Sequence, residues 1–161
     1  MKIIIRKAET KDIKKMAQLA ALCIDDSIPP TRVDVSIRNL KQARIIDIET
    51  SLTKIINLSH IGIYLAEDEN GTLLGHLMGY VGDIESVTGE PQGWIFDLSV
   101  DPKYRRRGIA RKLVEKFTEF VKNAGYKFIG LLVTSSNKAA VSLYENLGFV
   151  EERKRMAKRL L

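Results

Sequence analysis

The chain has 161 residues, 45% of them apolar, and a formal net charge of +6. That length suits one domain with its own core, and the single cysteine, Cys23, excludes an intrachain disulfide framework and a cysteine-rich metal site. A basic balance admits an anionic cofactor, nucleic acid or a membrane surface as partner, and charge alone does not choose among them.

The N-terminal run Met1 to Arg6 is too short for a secretory signal. No stretch reaches the length of a membrane span, so the cytoplasm is the expected compartment and no membrane partner is expected. Residues 2 to 7, rich in isoleucine, predict a first strand. Thr10 and Asp12 predict the start of a helix that runs to about Cys23, with Ile13, Met16, Leu19 and Ala20 on its inner stripe. Cys23, set among Ala20, Ala21, Leu22 and Ile24, reads as a small buried hydrophobe.

Asp25 to Asp34, with its Pro-Pro pair, reads as a loop. Val35 to Leu58 carries a helical apolar period and predicts one long helix or two short ones. His60 to Ala66 and Thr72 to Val81 predict a hairpin around Glu69-Asn70-Gly71. The only histidines, His60 and His76, fall in this hairpin, where they are expected near each other. Two histidines without a third ligand do not make a metal site, so both read as ordinary sheet residues, His76 with some claim to the acceptor side. No metal is expected.

Gly82 to Gly93 predicts a polar loop, and Trp94 to Val100 a strand. Asp101-Pro102-Lys103-Tyr104-Arg105-Arg106-Arg107-Gly108 is a short basic turn. It opens a helix with Ile109, Leu113, Phe117 and Val121 on one face and Ala124-Gly125 at its stop. The first N–H groups of such a helix have no intrahelical acceptor, and the helix dipole adds positive charge there. Gly108 lets the backbone curl, Ala110 keeps the next contact small, and three arginines surround the opening. This is a phosphate or pyrophosphate cradle.

The remaining chain predicts a buried strand over Tyr126 to Val133. A cap cluster at Ser135-Ser136-Asn137 precedes a short helix from Lys138 to Leu147, stopped by Gly148. A last strand is predicted to begin at Phe149-Val150, with the basic tail from Arg153 to Arg159 as a solvated edge. No Walker A sequence and no Gly-x-Gly-x-x-Gly is present, which disfavours nucleoside triphosphates and dinucleotides.

The spacing Arg105-x-x-Gly108-x-Ala110 resembles the Q/R-x-x-G-x-G/A acyl-CoA signature of the GNAT superfamily of N-acetyltransferases. Asn137-x-x-Ala140-x-x-x-Tyr144-x-x-x-Gly148-Phe149 is similar to the C-terminal signature of the same superfamily, in the same order along the chain. The resemblance implies one α/β (α+β) domain over residues 1–161: a central mixed sheet of about six or seven strands, flanked by helices on both faces. A variable acceptor-side half over about 1–92 and an acyl-CoA-binding half over about 93–161 follow from it.

It further implies acetyl-CoA as acyl donor, held by Arg105, Arg106, Arg107, Gly108, Ile109, Ala110, Arg111, Asn137, Ala140 and Tyr144, with Leu98 and Val100 as main-chain partners. Tyr144 is implied as the acid that protonates the departing thiolate. Asp97 is the matching candidate for the base, with Glu85 or a water relay as alternatives. The acceptor the resemblance implies is a primary amine on a peptide, a protein N-terminus or a small molecule, and the chain is expected as a monomer or homodimer. Two other classes fit less well. A non-catalytic acyl-CoA sensor would not need Tyr144, and a nucleic-acid-binding module would lack every usual reader motif.

Overall fold

The computed structural model describes all 161 residues. Five strands form one sheet in the order β1-β2-β3-β4-β5: Ile4–Lys7, Ile61–Glu67, Leu73–Ile84, Pro91–Val100 and Ile129–Leu131. The first three pairings are antiparallel, and only β4 with β5 is parallel. Helices α1 (Ile13–Leu22) and α2 (Ile37–Ile55) cover one face, α3 (Ile109–Asn123) the other, and α4 (Lys138–Asn146) follows β5. No helix is long and apolar enough to cross a membrane.

Two cores sandwich the sheet. Ile61, Ile63 and Leu65 of β2 turn toward Met16, Ala17, Ala20, Ile48 and Leu52 of α1 and α2. Tyr64 and Ala66 turn the other way, toward Ile109, Leu113, Phe117 and Val121 of α3. This alternation of side chains along a strand lets one sheet serve both cores.

The α3 core has a groove built from absent side chains. Gly62 and Gly79 are paired across β2 and β3, and Gly93 lies opposite Val81 on β4. A Cβ on Gly79 would lie 2.5 Å from Phe117, one on Gly62 2.6 Å from Phe120, and one on Gly93 2.5 Å from Val121. The helix seats its aromatic face where three neighbouring strands carry only hydrogen.

Several expectations change. The sheet has five strands rather than six or seven. The strand expected over Tyr126 to Val133 shrinks to Ile129–Leu131, because it pairs with β4 only through Gly93 to Ile95 and has no neighbour beyond. No strand follows Phe149. Residues 151–155 are all charged, with no alternating apolar set to bury on a sheet face. The tail is exposed and tied by ion pairs from Arg153 to Glu85 and from Arg159 to Asp34. β3 runs on to Ile84 and β4 starts at Pro91, so the loop expected from Gly82 shortens to six residues. α1 is preceded by a turn of 3₁₀ helix in which Glu9 and Asp12 form the capping box, so the cap is Glu9 and not Thr10.

The glycine groove predicts a packing cost. Gly79→Ala should destabilise the fold by about 1–3 kcal/mol, the range for overpacking a tight core. Urea unfolding of Gly79→Ala measures it; an unchanged midpoint would mean that Phe117 gives way to the added methyl group.

Candidate active site

The site begins with one surplus residue. Met78 pairs with Asp97 and Gly79 with Ile95, so Phe96 has no partner on β3 and forms a β-bulge. Before the bulge, Gly93 donates its N–H to Phe128 of the chain entering β5. After it the ladder to β5 ends, and Asp101 donates its N–H to Leu74 on β3. Because backbone groups alternate sides along a strand, Leu98 and Val100 turn theirs away from β3, into the gap that opens beside β5.

That gap is a cleft of about 760 Å³, within the range of small-molecule sites. Ile95 to Val100, Leu131 to Thr134, the start of α3 and residues of α4 line it, joined by Cys23, Ile24, Asp26 and Ser27 after α1. Leu132 is 73% exposed and Val133 37%. These apolar side chains are unburied because they border the cleft rather than a core, and the same holds for α4, which has no fully buried residue.

The basic turn is shaped as a cradle. Gly108 is left-handed at φ 77° and caps α3 from outside the helix. Arg106 is left-handed too, at φ 64°, the sole non-glycine so placed. Such a conformation costs a bulky residue about 1–2 kcal/mol, and strain of this kind gathers at ligand sites. A Cβ on Gly108 would meet no atom within 4 Å, so that face of the turn is open.

Of the expected donor-binding residues, Leu98, Val100, Arg105, Arg106, Gly108, Ile109, Ala110, Arg111, Asn137, Ala140 and Tyr144 all border the cleft, and Arg107 does not. The Arg107 guanidinium lies 5.7 Å over the Tyr104 ring. Arg105 borders the cleft but is engaged. It donates to Val100 O at 3.2 Å and to Asp26 at 2.8 Å, tying the turn to the segment after α1. Asn137 caps α4, accepting from the Ala140 N–H at 3.1 Å.

Tyr144 projects from α4 one turn beyond Ala140, its ring edge-on to Phe149 at 5.5 Å. Burial, then the negative charge of Asp97, holds its phenol above the ordinary tyrosine range. Glu85 lies outside the cleft. It accepts from the N–H groups of Val87 and Thr88 and pairs with Arg153, and those hydrogen bonds hold it down at about 2. Glu85 is thus engaged by its own turn and by the tail, and does not border the cleft.

Asp97 anchors the charge in the cleft. His76 Nε2 lies 2.5 Å from its Oδ2, Ser99 Oγ donates to Oδ2 at 3.0 Å, and Arg44 of α2 donates to Oδ1 at 2.7 Å. Burial would raise this carboxyl. The hydrogen bond and charge of His76, with the charge and hydrogen bond of Arg44, outweigh it and bring the group to about 2. His76 is therefore no ordinary sheet residue. It is fully buried opposite Ser99, while His60 lies far along the hairpin, beyond the pairing of Ile61 with Tyr80. Cys23 is only part-buried and also borders the cleft, its Sγ donating to Val100 O at 3.5 Å. Neither Arg44 nor His76 was marked as a partner of Asp97 by the sequence. They come from α2 and β3, 53 and 21 residues away, and no spacing rule links them.

Residues 36–149 match the sequence model of the Acetyltransferase (GNAT) family. Over 88 residues the chain is 34% identical to mycothiol acetyltransferase of Propionibacterium freudenreichii subsp. shermanii, covering 55% of this chain and 27% of that protein. Over 84 residues it is 36% identical to N-alpha-acetyltransferase daf-31 of Caenorhabditis elegans, covering 52% and 45%. The matched segment thus spans less than half of either relative. A Pyrococcus furiosus protein assigned as an acetyl transferase superposes with a TM-score of 0.80 at 24% identity, over 99% of this chain and 100% of that one. The aminoglycoside N-acetyltransferase AAC(6')-Iy in complex with CoA superposes with a TM-score of 0.73 at 17% identity, over 99% and 95%. Both have the same fold.

Asp97 makes a pH prediction. A carboxylate held low in the folded state stabilises the fold above its unfolded value, about 3.9. That contribution fades as pH falls through the folded value of about 2. Asp97→Asn should therefore cost stability at neutral pH, and the difference from the parent chain should shrink by about 2 kcal/mol between about pH 4 and pH 2. Urea midpoints of both chains across that window test it; a constant difference would mean that Asp97 is not ionised in the fold.

Proposed function

The chain belongs to the GNAT family of acetyltransferases, and on that premise we propose that it moves an acetyl group from acetyl-CoA directly to a primary amine on a peptide, a protein N-terminus or a small molecule. The observation that carries this reading is a single cleft. It joins the open N-terminus of α3 to the phenol of Tyr144 and the carboxylate of Asp97.

The residues suit the donor. The curled turn at Arg106 to Gly108 and the first N–H groups of α3 form an anion cradle. Arg106 and Arg111 border it without an engagement like that of Arg105. The inward-turned backbone of Leu98 and the apolar Leu132 and Val133 offer a narrow apolar slot. Acetyl-CoA supplies an acetyl thioester, electrophilic at its carbonyl carbon, whose sulfur leaves as a thiolate.

The remaining work falls to side and main chain. The Leu98 N–H is turned toward the gap, where it can stabilise negative charge developing on a carbonyl oxygen. Tyr144, kept protonated by burial and by Asp97, holds a proton at Oη for the departing sulfur. A primary amine is mostly an ammonium near neutrality and has no lone pair until it loses one proton to solvent; Asp97 Oδ1 takes the second proton, which the nitrogen sheds as its new bond forms. Its low basicity matters less at that stage, because a nitrogen bonded to the reacting carbon is far more acidic than a free ammonium. Cys23, raised above its ordinary value by burial, is poorly suited to carry the acetyl group itself, which favours direct transfer.

Two variants test this reading. Gly108→Glu should abolish saturable acetyl-CoA binding in calorimetric titration, since a carboxylate would enter the cradle; unchanged affinity in a folded variant would move the donor site elsewhere. Tyr144→Phe should bind acetyl-CoA as the parent does and lose about 10²-fold or more in turnover. A retained rate in an amine-acetylation assay would assign the acid role to another group.

A further inference from the structure

The two oxygens of Asp97 have different surroundings. Oδ2 is filled from within the sheet by His76, fully buried, and by Ser99, 4% exposed. Oδ1 holds only the guanidinium of Arg44, which reaches in from α2. The Arg44 side chain is 27% exposed. Its other nitrogen lies 3.6 Å from Asp47, one turn along α2, whose side chain is 66% exposed. One end of Asp97 is therefore fixed. The other carries a cation that borders the cleft and has a second carboxylate to move to.

We infer that Arg44 is a placeholder: its guanidinium holds on Asp97 Oδ1 the position that the cationic nitrogen of the acceptor takes, so the acceptor is a primary amine that arrives charged and carries no carboxylate beside its nitrogen. The identity of the arriving cation as the acceptor rests on the transferase reading; the exchangeable cation site does not. Three arguments support the exchange. A largely buried carboxylate stripped of its partner is costly, so Arg44 leaves Oδ1 only for another cation. A primary ammonium is compact and has three donors, so it fits where one guanidinium nitrogen sits and keeps donors free. The other cations bordering the cleft, Arg105, Arg106 and Arg111, belong to the basic turn and the first turn of α3, and Arg105 is held by Asp26. A carboxylate next to the incoming nitrogen would meet Asp97 at like charge, which excludes free amino acids and admits their amides and peptides.

The first test needs no catalysis. Thermal unfolding of the parent chain, Arg44→Ala and Arg44→Ala/Asp97→Asn is followed with rising methylammonium chloride, against tetramethylammonium chloride, which has no N–H to donate. Arg44→Ala should gain melting temperature saturably with methylammonium only, the parent chain should do so at about fivefold higher concentration, and Arg44→Ala/Asp97→Asn should show only the response common to both salts. Arg44→Gln, which keeps an N–H donor without the charge, replaces Arg44→Ala if the alanine variant does not fold. An equal response in all chains overturns the cation site.

The second test measures acetyl transfer to an amino acid amide and to the same free amino acid. Arg44→Ala should lower KM for the amide by about fivefold, and the free amino acid should remain a poor acceptor. A raised KM for the amide would make Arg44 a binding group for the acceptor and overturn the placeholder role. If the parent chain transfers to no amine, the transferase reading falls, and the thermal test alone decides the cation site.

Discussion

Phe96 is one residue more than β3 can pair, and the cleft depends on it. Up to Ile95, β4 is held on both sides, by β3 and by β5. The surplus residue shifts the alternation by one. Beyond it, β4 keeps its ladder to β3 while its outer backbone groups lose their partner on β5. In a closed sheet such a break would leave polar backbone buried and unsatisfied, at a cost of the order of a lost hydrogen bond for each group. Here the exposed edge faces a cavity with apolar sides and a basic mouth, so the break reads as a docking edge rather than a defect. The same shift puts Asp97 on the face of Met78 and Ser99 on the face of His76, so Asp97 meets Arg44 of α2 and Ser99 meets Asp97.

Charge is arranged along this cleft in two zones. At the α3 end the positive charge comes from backbone N–H groups and arginines, with Arg105 spent on holding the turn against Asp26. At the other end Asp97 sits among donors from three elements, balanced by one arginine. Tyr144 feels the negative end, which helps keep its proton in place. An acid and a carboxylate in one small volume thus sit on opposite sides of neutrality, each because of its neighbours.

The opposite face of the sheet supplies rigidity. Three glycines on adjacent strands let α3 sit deep, so Phe117 is fully buried over Gly79. The helix whose first turn forms the cradle is therefore anchored by its middle and end. Close packing at those points fixes where its N-terminus, and so the open side of Gly108, stands relative to the edge of β4.

The sequence by itself determined what local chemistry can determine. The amphipathic period of α3, its stop at Gly125, the Asn70-Gly71 turn, the Asn137 cap and the curl at Gly108 each depend on residues within a few positions of one another. Their spacing announced both the elements and the family. Ten of the eleven expected residues from Arg105 to Arg111 and at Leu98, Val100, Asn137 and Ala140 line the cleft; Arg107, whose ring partner Tyr104 lies three positions back, does not. What only the tertiary structure decided is pairing at long range. Whether Tyr126 to Val133 is a full strand depends on how far β4 stays alongside it, and whether the tail forms a strand depends on a neighbour it lacks. The partners of Asp97 come from α2 and β3, and the glycine groove from β2, β3 and β4 at once. Contacts between distant segments follow from how the sheet and helices are laid together, and no period or motif in a single stretch of chain records them.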